Sequence, residues 1–250
     1  MDISSFTGQG RQTRRLTRVV ETKSQNIGGS TQKRWQSKPD KNNSTRSPLL
    51  PLVFKPESDV LLRQRSLAKA QMGNYDEAIA LFTQLIERNP LNATDYSNRG
   101  LTYFQSGRRA EALADYSRAI ELNPRLDGAY NNRANYHAAQ GQFLEAILDY
   151  DVALDLNPAN TRAWINQGIT FRDLGIYERA IESFDLALHL GRLEGHIYAE
   201  RGRTYHLRGD WNCAIADYQR AIVDLPETPA SERLYLQVEL WMDELLAPLR

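Results

Sequence analysis

Asn98, Asn132 and Asn166 recur at a fixed spacing of 34 residues, with Gln64 before them and Glu200 after them at the same interval. A side-chain amide carries both a donor and an acceptor, so a row of amides matches the alternating groups of a peptide backbone. The chemistry open to such a row is recognition, since nothing in it makes or breaks a bond. A row that is only solvated is the plainer reading of the same residues.

Residue types that do make or break bonds are not arranged for it. The sequence holds no P-loop, no G-x-G-x-x-G after a strand pattern, no H-E-x-x-H and no nucleophile elbow. Four histidines are spread over the chain. His137 falls in a slot used elsewhere for aromatic packing, and His189 lies near a helix end. His196 and His206 share roughly one helix face ten residues apart, whereas a metal pair needs i, i+4 and a third ligand. Cys213 is the only cysteine, which excludes an intramolecular disulfide and a cysteine-rich metal site and favours a reducing compartment. No enzyme activity, cofactor or metal is expected.

Formal net charge is zero but unevenly placed. Residues 1–57 carry eleven Lys/Arg against four acids, a net +7, and leave −7 on the rest. This arm is rich in Ser, Thr, Gln and Asn without periodicity, and is expected to stay disordered for want of apolar surface to bury. Alternatives for it are a short basic amphipathic turn around Arg14, Arg15 and Arg18, set on a partner or an anionic membrane, and an organelle transit peptide. Pro48 to Phe54 is its one apolar stretch, extended because of its prolines. No run is long enough to span a membrane and no secretory signal core is present, so a cytoplasmic location is expected, or an organelle stroma or matrix if the arm is a transit peptide.

The elements that must position the amides follow from the 34-residue period. Cycles span 59–92, 93–126, 127–160, 161–194 and 195–228 without insertion, a body running from 58 to 226, with 229–250 left as a terminal helix and tail. Each cycle reads as two antiparallel helices. The first pairs an aromatic at its fourth position (Tyr96, Tyr130, Trp164, Tyr198) with a small residue at its eighth (Ser66, Gly100, Ala134, Gly168, Gly202). Glycine at the fifteenth position ends that helix. The second helix repeats Ala78/Phe82, Ala112/Tyr116, Ala146/Tyr150, Ala180/Phe184 and Ala214/Tyr218, and proline closes most cycles. Gly191-Arg192 stands where the fourth cycle should read Asn-Pro, which leaves the joint to the fifth in question. After Pro226, residues Leu234, Val238, Trp241, Met242 and Leu245 form an apolar helical face suited to cover the last cycle.

Small and aromatic residues alternating in this way over 59–226 resemble the tetratricopeptide repeat. The resemblance implies an all-α fold, a right-handed superhelical solenoid of antiparallel helix pairs with a C-terminal capping helix. It also implies a concave groove lined by the first helices, and a role as a monomeric adaptor for a protein partner, such as an assembly factor or co-chaperone. Groove positions then hold Asn98, Asn131, Asn132, Asn135 and Asn166 with apolar Leu67, Leu101, Phe104, Ile165 and Ile169. Arg162, Arg172, Arg203 and His206 would make its C-terminal half basic. The partner expected is an extended or helical segment of apolar and acidic character. One subgroup of the family clamps chaperone C-termini with Lys, Asn and Arg at set positions. Here those positions hold Arg63, Leu67, Asn98, Gly128 and Asn132, so that function is not carried over. Asn98-Arg99-Gly100 also resembles repeats frequent in bacterial and plastid proteins. The alternative is nucleic-acid or anionic-membrane association through the arm, with the repeats as scaffold; the acidic body disfavours nucleic acid.

Overall fold

Gly73, Gly107, Gly141, Gly175 and Gly209 all hold φ between 73° and 92°, a left-handed conformation that glycine adopts without a Cβ clash. Each ends one helix and reverses the chain into the next. In the computed structural model, which describes residues 57–226 and 228–247, this produces eleven α-helices and no strand among the described residues. They are α1 (Asp59–Gln71), α2 (Tyr75–Arg88), α3 (Ala93–Gln105), α4 (Arg109–Leu122), α5 (Asp127–Ala139), α6 (Phe143–Leu156), α7 (Thr161–Asp173), α8 (Tyr177–His189), α9 (Glu194–Arg208), α10 (Trp211–Asp224) and α11 (Pro229–Leu246). The expectations for the arm up to residue 56 lie outside the described residues.

Odd- and even-numbered helices pair antiparallel, and α1, α3, α5, α7, α9 and α11 form one row in which each touches the next. The fold is an all-α repeat solenoid. One ring from each second helix supplies the bulk inside a pair: Phe82, Tyr116, Tyr150, Phe184 and Tyr218 are all at most 1% exposed. Those rings need a small residue opposite. A Cβ added at Gly100, Gly168 or Gly202 would come within 2.8–2.9 Å of the facing ring. In the third pair Ala134 fills this slot, in one cluster with Ala146 and Tyr150. The rings at the fourth position of the first helices, by contrast, are only partly buried.

Helix α11 covers the apolar end of the array. Val238 and Leu245 join Ala199, Ala214, Tyr218 and Ala221 in one cluster, and the Trp241 ring stacks on Tyr218 at 6.1 Å. Thr228 caps the helix by accepting from the Ser231 N–H. No helix among the described residues is long and apolar enough to cross a membrane.

The joint between the fourth and fifth pairs differs from the others. Asn92 and Asn160 cap α3 and α7 through their side chains, whereas α5 and α9 begin after Leu126 and Leu193, which make no side-chain cap, and of these two only Leu193 is left-handed. Leu193 has φ 59°, and is the only non-glycine residue with positive φ among the described residues. A branched side chain in that conformation costs about 1–2 kcal/mol. Leu193→Gly is therefore expected to raise the free energy of unfolding by about 1 kcal/mol in urea titrations. An unchanged or lower midpoint would refute the strain at this joint.

Candidate partner-binding groove

The row of first helices sets the amides one above another, but their surroundings differ. Asn98 and Asn166 are partly exposed, and their side-chain amides make no hydrogen bond within the described residues. Asn132 is tied back, donating to Ser97 Oγ at 3.2 Å. Asn135 Oδ1 accepts from the Tyr150 hydroxyl at 2.6 Å, so its acceptor is already used. Leu101 and Phe104 are partly exposed beside Asn98, with Phe104 edge-on to Tyr136 at 6.2 Å between centroids.

The fifth position is buried rather than open to the groove. Asn131 and Ile165 are each 8% exposed. Ile165 packs with Phe171, Ala180, Phe184, Ala187 and Ile197, with Ile169 resting against this cluster. Ile197 belongs to α9, so a residue at this position faces the next first helix. Asn131 Oδ1 is buried there without a hydrogen bond.

Three of the four groups expected to make the C-terminal half of the groove basic have internal partners. Arg172 is paired with Glu200 and with Asp173. Arg203 pairs with Glu244 of α11 at 3.1 Å and lies 5.3 Å over the Trp241 ring. His206 Nδ1 sits 3.2 Å from the Tyr218 hydroxyl. Burial, followed by the charge of Arg203, lowers its pKa, with Glu244 opposing. These groups are spent on internal partners because Glu200 replaces asparagine in the row and α11 brings Glu244 and Trp241 alongside α9. Arg162 is exposed and has no ion pair among the described residues. No group of three or more His, Cys, Asp or Glu side chains among the described residues is arranged to hold a metal ion.

A tetratricopeptide repeat family profile matches residues 63–128 and 131–194, over half of the chain. The chain belongs to the tetratricopeptide repeat family. Among solved structures it is similar to TTC0263, a thermophilic protein of that family from Thermus thermophilus, over 73% of this chain and 100% of that one, with TM-score 0.64 and 21% identity. Pseudomonas aeruginosa pilF aligns over 76% of this chain and 87% of its own, with TM-score 0.62 and 18% identity. A MamA structure covers 68% of this chain and 98% of its own at TM-score 0.55 and 19% identity. No curated protein matches the sequence. Tetratricopeptide repeat proteins are generally non-catalytic scaffolds, and the fold supports a role in protein–protein interaction.

Behind the groove, these tetratricopeptide repeats carry a polar ladder that the reading from sequence passed over. Arg99, Arg133 and Arg201 each form a bidentate pair with the aspartate sixteen residues on, Asp115, Asp149 and Asp217, at 2.7–2.9 Å. Their guanidinium groups lie 5.6–5.7 Å from the rings of Tyr96, Tyr130 and Tyr198. Hydrogen bonds to Asp115 and Asp149 raise the pKa of Arg99 and Arg133 against the opposing effect of burial. At Arg201 burial is the larger single influence and lowers the pKa, but Asp217 and Asp185 together outweigh it. Several ladder members reach the preceding repeat too: Arg99 donates to Thr83 Oγ1 at 3.1 Å, and Arg201 pairs with Asp185. In the fourth cycle Gln167 takes the arginine's place, bonding Asp151 at 2.7 Å and receiving the Ser183 hydroxyl at 3.3 Å. The signal was present in sequence as an Arg/Asp pair sixteen residues apart in three cycles, replaced at both members in the fourth (Gln167, Ser183) and at the aspartate alone in the first (Arg65, Leu81).

Proposed function

We propose that this protein is a non-catalytic adaptor that holds an extended or helical segment of a protein partner along the row of first helices. The observation that carries this reading is the pair of unspent amides on Asn98 and Asn166, partly exposed beside Leu101, Phe104 and Ile169. Over the first three repeats the groove positions include Gln64, Leu67, Gln71, Gln105, Asn132, Ala138 and Ala139, and the charged Arg63 is paired with Asp95. Such a surface suits a segment read through its backbone and apolar side chains. An acidic residue in that segment would have Arg162 as its free counterpart.

Alanine at both Asn98 and Asn166 is expected to weaken capture of the partner about tenfold, because each amide hydrogen bond contributes about 0.5–1.5 kcal/mol. Helicity and melting should not change, since neither amide bonds within the described residues. Full-length protein and variant are compared by affinity capture and mass spectrometry, with titration of the captured protein. Equal capture by both would overturn the groove assignment.

A further inference from the structure

The outward face of the second helices supplies an internal comparison, because the same three positions recur in every pair. They read Asp76, Ala80 and Gln84 on α2; Ala110, Ala114 and Arg118 on α4; Glu178, Glu182 and Leu186 on α8; and Asn212, Ala216 and Arg220 on α10. All of these are exposed and most are polar or small. On α6 the three positions are Leu144, Leu148 and Val152, exposed by 72%, 66% and 37%. Successive i, i+4 steps place them in one continuous stripe. Nothing in the fold requires apolar residues there, as the other four pairs show.

Charge on α6 itself is of one sign. Helix α6 has four acids, Glu145, Asp149, Asp151 and Asp155, and no base. Asp149 is consumed by Arg133 in the ladder. Glu145, Asp151 and Asp155 are exposed and make no ion pair among the described residues, although Asp151 already accepts from Gln167 at 2.7 Å. On the helical wheel Asp151 and Glu145 lie on opposite flanks of the stripe, and Asp155 continues it. The neighbouring Arg179 on α8 pairs with Glu182 at 3.4 Å.

From this geometry we infer that α6 presents a second docking surface, on the face opposite the groove, for an amphipathic helix of a protein partner with an apolar stripe flanked by Lys or Arg. Apolar contact supplies the affinity and the carboxylates, Glu145 and Asp155 foremost, select the sign of the partner. A second copy of this chain does not fit: an antiparallel pair of α6 helices with their apolar stripes in register sets Glu145 of one level with Asp151 of the other, acid beside acid. Anionic lipid is disfavoured by the same carboxylates.

The test uses full-length protein and a fluorescent synthetic amphipathic peptide of leucine and lysine, with leucine at i, i+4 spacing, read by anisotropy. Leu148→Gln is expected to weaken the peptide about tenfold, as burial of one leucine side chain implies, with melting unchanged. Glu145→Lys with Asp155→Lys is expected to reverse the preference towards a leucine–glutamate peptide. The Asn98 and Asn166 double variant should bind the leucine–lysine peptide as the wild type does, which separates this surface from the groove. Equal peptide affinity in Leu148→Gln and wild type would overturn the proposal. So would a concentration-dependent dimer in sedimentation that Leu148→Gln dissolves, or an unchanged peptide preference in the double lysine variant.

Discussion

Replacing Arg201 by glutamine is expected to lower the stability of the array by about 3 kcal/mol. The Arg201 and Asp217 side chains are 14% and 5% exposed, so glutamine leaves a carboxylate without its bidentate partner and with little access to water. Removing one member of a buried pair costs about 3–5 kcal/mol, and the partial exposure of Arg201 places the loss at the lower end. Asp185, the other partner, is 54% exposed and regains water freely. The fourth repeat shows how the same position works without charge, with Gln167 opposite Ser183. Copying that arrangement as Arg201→Gln with Asp217→Ser should recover most of the loss. Urea unfolding of the two single variants and the double closes a mutant cycle, and a coupling energy below about 0.5 kcal/mol would show that the ladder is ornamental to stability.

Phe184→Ala is expected to cost about 4 kcal/mol. The ring is fully buried, and Gly168 opposite has no side chain with which to fill the space. Large-to-small changes at such sites lose the transfer energy of the ring and leave a cavity, about 3–5 kcal/mol together. The cluster around Phe184 takes Ile165 and Phe171 from α7, Ala180 and Ala187 from α8, and Ile197 from α9. In a solenoid each pair leans only on its neighbours, so the damage should stay local. Hydrogen exchange is expected to show α7 to α10 opening before α1 to α4. A uniform loss of protection along the chain would contradict nearest-neighbour stability.

Most of the architecture was legible from sequence because a repeat shows each packing rule five times. The turn glycines and the small residues facing rings follow from one cycle laid over the next, and the terminal helix from the apolar spacing of Leu234 to Leu245. The groove was less legible. Tyr96 and Tyr116 are both rings on a helix, and only the packed pair shows that the second is buried while the first supports a guanidinium. Ile165 and Ile169 differ in exposure because the fifth position faces the next first helix, a fact of stacking that no single helix contains. Arg172, Arg203 and His206 appeared free because their partners lie 28, 41 and 12 residues away. The stripe on α6 stands out only when outward positions are compared across repeats, a comparison that recognising the family does not prompt.

The ladder's reach into the preceding pair also bears on whether these units could be rearranged. Arg99 meets Thr83, Gln167 meets Asp151 and Arg201 meets Asp185, so in the second, fourth and fifth units the seventh residue is matched to a particular residue of the unit before it. Exchanging the second and fourth units would set Gln167 against Thr83 and remove an acid from beside an arginine that needs it. Units with interchangeable outlines thus carry an address for their predecessor, and the array is a sentence with a fixed word order rather than a string of identical beads.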